Sequence, residues 1–213
     1  MKRINAIIKY IKPEDRVIDV GCDHAYLSMI LSKKRIFSIA SDLKENIIQK
    51  AHLVASTRKL DDYIDFRCGN GFDTLRKEDN INVAVLSGMG SYLIIKLLSN
   101  TNYKFEKIIT ISNREHEYLR KNMLKLGYTV SLEEIIYEKG KYYNLILFKE
   151  GKTKYTIDEL IIGKNHQNLE MLDKKNKEEL IKINNILNTI NNDKLLQKKK
   201  VIERNLISKF QEK

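Results

Sequence analysis

The 213-residue chain has no tryptophan, one proline and only two cysteines. Cys22 and Cys68 form no C-x-x-C pair, so nothing indicates a disulfide framework or a zinc site. The four histidines are scattered without H-E-x-x-H spacing, and we expect no metal. No run approaches the roughly 18 apolar residues of a membrane span, and the first residues lack the apolar segment of a secretory signal. We therefore expect a cytoplasmic protein that is not bound to a membrane.

Acidic residues are outnumbered by basic ones. Lys and Arg total 39 against 28 Asp and Glu, which gives a formal net charge of +11. A field of this sign favours polyanions, because neutralised phosphates release their condensed counterions. The chain is also crowded with Lys, Ile and Asn, as an AT-rich coding bias would produce, so part of the surplus is expected to be solvated lysine. The charge predicts a nucleic-acid partner without identifying the residues that contact it.

Short β-branched runs alternate with helical stretches through residues 1–151. Strand-like runs cover residues 17–20, 36–40, 63–66, 83–86 and 107–111. Helical stretches cover residues 24–33, 44–59, 91–99 and 114–126, after an amphipathic helix near the beginning. This alternation predicts an α/β fold with a parallel sheet built of right-handed crossovers.

The end of this region has a different pattern. Gly127 is placed to stop a helix, and two strand-like runs follow at 128–137 and 142–148. Their short Gly-containing connection predicts an antiparallel hairpin. Five parallel strands closed by a hairpin are similar to the seven-stranded, Rossmann-like sheet of class I methyltransferases. Most nicotinamide-binding Rossmann domains lack that hairpin.

From residue 152 the strand signals stop. Two apolar stripes at helical spacing flank a turn at 191–193; they consist of Leu180, Ile183, Leu187 and Ile190, and of Leu195, Ile202, Leu206 and Phe210. They predict a coiled-coil-like C-terminal α-helical hairpin, in which one helix packs against the other. We therefore divide the chain into a domain at 1–151 and a helical hairpin at 152–213, whose polar faces remain open to RNA.

The loop after the first strand is the strongest candidate for a cofactor site. It contains Asp19 and Gly21, followed by Cys22 and Asp23. A dinucleotide enzyme needs G-x-G-x-x-G here, because the pyrophosphate sits against the backbone. Asp23 takes the place of the second glycine and would repel a pyrophosphate, but it tolerates a sulfonium and a zwitterionic methionine moiety. The alternative is an ordinary turn in which Asp23 caps the next helix.

The loops after the next three strands add to this site. Asp42 follows Asp19 by about 20 residues, a spacing that lets an acid bind ribose hydroxyls, although it could simply cap a helix. Asn70 lies between two glycines, where it meets the adenine edge or forms a tight turn. Met89 offers an adaptable apolar surface where a methyl acceptor enters. The predicted cofactor-binding residues are Asp19, Gly21, Cys22, Asp42, Leu43, Gly69, Asn70, Gly71, Ser87, Gly88 and Met89.

Several short motifs are spread along the chain. They are Lys2-Arg3-Ile4 with Tyr10 and Pro13, Asp23-His24-Ala25-Tyr26-Leu27, Ser87-Gly88-Met89-Gly90, Asn113, Arg120, and Gly140-Lys141 with Tyr143. Together they resemble the bacterial tRNA (adenine-22-N1)-methyltransferase family. The resemblance implies S-adenosylmethionine as cofactor and N1 of an adenine in tRNA, adenine 22 by analogy, as methyl acceptor.

Three positions depart from the family pattern. Asn70 stands where the family has the acid of Gly-Asp-Gly, so an adenine contact would change from carboxylate to amide. Only Asn113 remains of a Gln-Pro-Asn motif. Ser91 replaces the second glycine of Gly-Met-Gly-Gly.

Adenine N1 has an available lone pair, so its methylation needs placement more than a base. Positive charge develops on the ring, and an acceptor for the N6 hydrogens would stabilise it. We assign that role to Asp23 and His24, and the orientation of the base to Asn113 and Tyr143; alternatively, His24 only bonds local backbone. No Asn-Pro-Pro-Tyr motif follows the fourth strand, which favours a ring nitrogen over an exocyclic amine. Asp23, His24 and Asn113 are the predicted catalytic residues.

Because N1 lies on the Watson–Crick edge, the target must be unpaired or extruded. We expect tRNA contacts from Arg3, Lys9, Tyr26, Lys33, Lys34, Arg35, Arg120 and Tyr143, with the lysines at 198–200. We expect a monomer. The alternatives are a methyltransferase of the same fold acting on another RNA or a small molecule, a nicotinamide-dependent oxidoreductase, and a non-catalytic RNA-binding protein.

Overall fold

A computed structural model describes the backbone of residues 1–211 and the side chains of residues 1–206. Seven strands form one sheet in the order β3-β2-β1-β4-β5-β7-β6. The strands are β1 (Val17–Val20), β2 (Ser38–Asp42), β3 (Ile64–Cys68), β4 (Val83–Ser87), β5 (Lys107–Ser112), β6 (Tyr128–Glu138) and β7 (Lys141–Glu150). The α-helices are α1 (Lys2–Ile8), α2 (Tyr26–Lys33), α3 (Glu45–Thr57), α4 (Ser91–Ser99), α5 (His116–Lys125), α6 (Ile157–Ile161), α7 (Leu169–Leu187) and α8 (Asp193–Gln211).

Strands β1 to β5 run parallel, and β7 lies antiparallel between β5 and β6. The predicted seven-stranded sheet with its terminal hairpin is therefore confirmed. β2 and β3 each lie one or two residues later than predicted. Ile36 is buried in the core but precedes the ladder, which begins with the pairing of Val17 and Ser38. The last residues of these two strands are polar, yet they belong to the ladder, in which Ser41 pairs with Arg67 and Asp42 with Cys68. A prediction from hydrophobicity therefore ends both strands too early.

Two apolar clusters cover the sheet. α4 and α5 pack on one face, and α1 and α2 pack on the other. Every residue of β1 and β5 is buried, as expected for strands covered on both sides. The parallel strands end at one common edge of the sheet, where the last strand residues, such as Asp42 and Ser87, and the connecting loops contribute side chains. We call this the catalytic edge.

The two C-terminal stripes pack as predicted. Ile183 of α7 meets Val201 and Ile202 of α8, and Ile135 of β6 joins the same cluster. Ile190 is 53% exposed, so its assignment to the stripe is wrong; it follows the end of α7 at Leu187. Phe210 lies outside the described side chains. The division of the chain at residue 151 stays a prediction.

A short helix joins the sheet to these two helices, and sequence patterns did not predict it. α6 begins with a capping box between Thr156 and Glu159. The backbone carbonyl of Leu160 in this helix accepts a 2.7 Å hydrogen bond from Arg120 Nη1. The Nε and Nη2 atoms of that guanidinium donate to Glu133 at 2.8 and 2.6 Å, and both side chains are fully buried. The prediction that Arg120 contacts tRNA is therefore wrong, because its donors hold the junction together.

Two features are absent from the residues that the structure describes. No helix up to residue 211 is long and apolar enough to cross a membrane. No group of three His, Cys, Asp or Glu side chains in that part of the chain is placed to hold a metal ion.

Candidate active site

Backbone hydrogen bonds connect the loops of the catalytic edge. The N–H groups of Gly21 and Cys22 both donate to Ser41 O, at 2.8 and 3.0 Å. In the same way, Gly69 N donates to Asp42 O at 2.9 Å. These hydrogen bonds connect the end of β1 to β2, and β2 to the loop after β3. The predicted cofactor-binding residues of these three segments therefore lie side by side.

Gly21 allows the loop after β4 to approach the loop after β1. Its φ is +71°, in the left-handed region where glycine has no steric cost. A Cβ atom added here would lie 3.2 Å from Met89 Cε. A side chain at Gly21 would therefore be strained and would press on the apolar surface that Met89 presents.

Two carboxylates converge in this site. Asp19 is buried, and Asp42 lies on the neighbouring strand. Burial, reinforced by the charge of Asp42, raises the pKa of Asp19 to about 7. Burial and the charge of Asp19 also raise the pKa of the Cys22 thiol. Neither carboxylate forms an ion pair within the described residues, so the site favours a ligand that brings positive charge and hydrogen-bond donors.

The rim of this site is exposed. Leu43 is 68% exposed beside Asp42, and its carbonyl accepts from Cys68 Sγ at 3.5 Å. Asn70 is also exposed, and its amide approaches Asp73 at 3.4 Å. Gly71 has a structural role, because a Cβ there would lie 2.7 Å from Leu97 Cδ2. The contact of Asn70 with an adenine edge stays a prediction.

The acceptor loop, residues 87–90, is held by the loop after β5. Asn113 Nδ2 donates to Gly88 O at 3.1 Å, and Asn113 N donates to Met89 O at 3.2 Å. The buried hydroxyl of Ser91 donates to Arg114 O at 2.6 Å. Asn113 therefore positions the loop, while its amide oxygen stays available. This hydrogen bond gives a structural reason for serine where the family pattern has glycine, because glycine has no side chain that could donate to Arg114 O.

The Asp23–His24 segment has a strained backbone. Asp23 and Ala25 both have a φ of 50°, a conformation that costs non-glycine residues energy and often marks functional sites. The alternative that Asp23 caps α2 is wrong, because Ala25 is the N-cap and no side chain bonds there. The side chains of Asp23 and His24 are 69% and 64% exposed, with His24 Nε2 and Asp23 Oδ2 3.7 Å apart. Both side chains are free to meet a substrate.

Several predicted tRNA contacts lie elsewhere or are already paired. Arg3 binds Glu138 at 2.9 Å and stacks on Tyr143, and Lys9 binds Glu134 at 2.7 Å. These pairs fasten α1 to the β6–β7 hairpin.

A second basic group lies far from the acceptor loop. Lys33, Lys34 and Arg35 are exposed at the end of α2, which runs from the catalytic edge to the opposite edge of the sheet. The structure does not bring this cluster to the site.

A family described as a methyltransferase domain matches residues 1–146. The chain belongs to this family. The methyltransferase is 27% identical over 155 residues to a Bacillus subtilis tRNA (adenine(22)-N(1))-methyltransferase, a match that covers 70% of this chain and 65% of the relative.

Solved structures resemble the methyltransferase over nearly its full length. M. capricolum TrmK in complex with S-adenosyl-homocysteine has a TM-score of 0.85 at 27% identity, covering 98% of this chain and 97% of that one. A Streptococcus pneumoniae protein in complex with S-adenosyl-L-methionine has a TM-score of 0.86 at 25% identity, covering 96% and 98%. The match extends over the C-terminal helices, as a resemblance across essentially the whole chain implies, although the helical tail carries no specific motif.

Sequence reasoning missed two features of the methyltransferase. Ser91 was noted only as a departure, because the acceptor of its hydroxyl, Arg114 O, lies 23 residues away in the loop after β5. The rings of Tyr92 and Tyr118 meet with centroids 4.2 Å apart, a pairing between helices that no short motif encodes.

Proposed function

We propose that this protein transfers the methyl group of S-adenosylmethionine to N1 of an adenine in tRNA, adenine 22 by resemblance. The observation that carries the proposal is the pair of carboxylates without cationic partners, Asp19 and Asp42, beside the open Asp23–His24 segment. The carboxylate pair suits a cationic cofactor, and the Asp23–His24 segment suits an acceptor ring that gains positive charge.

The residues present fit S-adenosylmethionine. Asp19 and Asp42 would accept hydrogen bonds from the ammonium and ribose groups, and Gly21 lets Met89 approach the backbone beside them. When bound, the cofactor supplies an electrophilic methyl group. A dinucleotide fits less well, because its pyrophosphate would meet the negative charge of this pocket. The complexes of M. capricolum TrmK and the S. pneumoniae protein support the same cofactor.

The acceptor chemistry follows from the open side of the site. Adenine N1 attacks with its lone pair, so no residue needs to remove a proton beforehand. Asp23 would accept a hydrogen bond from the N6 amine and stabilise the charge that spreads into the ring. Asn113 would fix the acceptor loop and leave its amide oxygen for the base. His24 would orient Asp23, from which it lies 3.7 Å away.

The proposed partner is tRNA, as the name of the B. subtilis relative supports, and the net charge of +11 suits a polyanion. The proposed setting is a cytoplasmic monomer.

Incubation with labelled S-adenosylmethionine and unmodified tRNA, followed by nucleoside analysis, tests the proposal. We expect label in 1-methyladenosine only, with an incubation that lacks the protein as the negative control. Label at another atom would overturn the regiochemistry, and label only in another RNA would overturn the substrate. Nicotinamide cofactor binding without S-adenosylmethionine binding would overturn the reaction class.

A further inference from the structure

An exposed aromatic pair lies beside the acceptor loop and takes no part in the site described above. Tyr92 is 60% exposed and Tyr118 is half-buried against the core. Their ring centroids lie 4.2 Å apart with 41° between the planes. Within the described residues, neither hydroxyl makes a hydrogen bond. Tyr118 thus supports Tyr92 from behind, and Tyr92 presents an aromatic surface to solvent.

The position of this surface is fixed relative to the methyl acceptor. Tyr92 is the second residue of α4 and follows the acceptor loop directly. The Ser91 hydroxyl joins this helix start to Arg114 O at 2.6 Å, while Asn113 holds Gly88 at 3.1 Å. The two hydrogen bonds couple the aromatic pair, the acceptor loop and the loop after β5 into one unit.

One cationic side chain lies in the loop that is bound to the start of α4. The side chain of Arg114 is exposed and has no acidic partner within the described part of the chain. Lys175 and Lys198, whose charges help burial to lower the pKa of His116 on α5, both pair with Glu179 and add no free charge here. Arg114 is therefore the cation that the loop after β5 supplies beside the start of α4.

This combination suits an unpaired nucleotide. An adenine that exposes N1 has left its stack, so the base next to it loses a stacking partner. Aromatic side chains recover such stacking without sequence readout, and a nearby guanidinium binds the phosphate. We propose that Tyr92, supported by Tyr118, stacks on the unpaired tRNA base next to the target adenine, with Arg114 at its phosphate. The inference rests on the proposed function and adds Tyr92 as a substrate-binding residue.

Because the chain has no tryptophan, a single reporter can test binding directly. Tyr92→Trp places the only indole at the proposed platform, where a stacked base quenches its fluorescence. Tyr63→Trp is the matched control, since Tyr63 is 37% exposed and precedes β3 at the opposite edge of the sheet. We expect unmodified tRNA to quench the indole of the Tyr92→Trp variant and to leave that of the control nearly unchanged. Equal quenching in both variants, or none in Tyr92→Trp, would overturn the inference.

Kinetics give a second readout. Tyr92→Ala is expected to lower kcat/KM for tRNA about 5- to 150-fold, the range for loss of one base–aromatic stack. Tyr92→Phe keeps the ring and is expected to stay within about twofold, as is Tyr63→Ala. The Kd for S-adenosylmethionine and the melting temperature should not change. If Tyr92→Ala methylates tRNA like the wild type, Tyr92 has no such role.

The two proposals fail in different ways. A wild-type protein that methylates no tRNA overturns the proposed function, whereas quenching of the Tyr92→Trp reporter by tRNA still reports docking at this surface. A wild-type protein that methylates tRNA, with Tyr92→Ala equally active and the Tyr92→Trp reporter unquenched, overturns only the stacking inference.

Discussion

The junction between the sheet and the C-terminal helices differs from the catalytic edge in how it treats buried charge. At the junction, Arg120 and Glu133 are fully buried and bind each other through two hydrogen bonds. At the catalytic edge, Asp19 is almost as deeply buried, and burial with the charge of Asp42 raises its pKa to about 7. A buried charge with an internal partner belongs to the fold, because loss of that partner leaves the other charge uncompensated, whereas a buried charge without a partner indicates the place of a ligand.

Breaking the junction pair should have the largest effect on stability. Glu133→Gln leaves the Arg120 guanidinium buried without its counter-ion, and loss of one partner of a buried pair costs about 3–5 kcal/mol. Chemical denaturation should show that loss in the free energy of unfolding. Glu170→Gln is the control, because Glu170 pairs with Lys174 on an exposed helix face and its replacement should leave the free energy of unfolding nearly unchanged. Similar losses in both variants would contradict the comparison.

Removal of the unpartnered charge should have the opposite effect. The raised pKa of Asp19 means that the folded state holds its proton more tightly than the unfolded state does, so Asp19 costs stability as pH rises from about 4 to about 7. Above pH 7 the cost is constant and reaches up to about 4 kcal/mol. Asp19→Asn should therefore stabilise the cofactor-free protein at pH 8, and the gain should vanish towards pH 4.

Calorimetry supplies the functional half of this test. Asp19→Asn should bind S-adenosylmethionine more weakly, because a carboxylate that faces a cation has been removed. A variant that is less stable than the wild type at pH 8, or that binds the cofactor as tightly, would contradict the assignment of Asp19 to the ligand.

Charged motif residues were the hardest to interpret from sequence. Arg120 and Arg3 both belong to the family pattern, yet Arg120 closes the junction and Arg3 binds Glu138. A motif match identifies a residue in the sequence, but it does not identify the charged side chain that this residue pairs with in the folded protein. Glu133 lies on β6, and no local pattern pairs it with α5.

Features governed by short-range periodicity were predicted well. The alternation with helices predicted the five parallel strands, and the Gly-containing connection predicted the final hairpin. The loops after β1 and β4 approach each other at Gly21 and Met89, as parallel topology requires. The error at Ile190 has a local cause, because α7 ends at Leu187 and the helical spacing stops there. Ser91 and Tyr92 were not recognised, since their partners come from a different helix and loop.

The open loop offers a catalytic test. Asp23→Asn removes the proposed acceptor for the N6 amine and should lower kcat about 100-fold, the scale for loss of one group that stabilises developing charge. Because Asp23 is 69% exposed and caps no helix, the free energy of unfolding should change little. Unchanged kcat with unchanged Kd for S-adenosylmethionine would exclude Asp23 from the reaction.

The smallest effect is expected at the edge opposite the site. α2 has eight residues and is about 12 Å long, which exceeds the Debye length of about 8 Å at physiological salt. Reversal of Lys33, Lys34 and Arg35 to Glu should therefore change the Kd for tRNA by no more than about twofold. Reversal of Lys139 and Lys141, exposed at the hairpin tip on the catalytic edge, should weaken tRNA binding and reduce its salt dependence by about one unit of slope per lost phosphate contact. If the triple reversal weakened binding as much as the hairpin-tip pair, tRNA would have to reach both edges of the sheet.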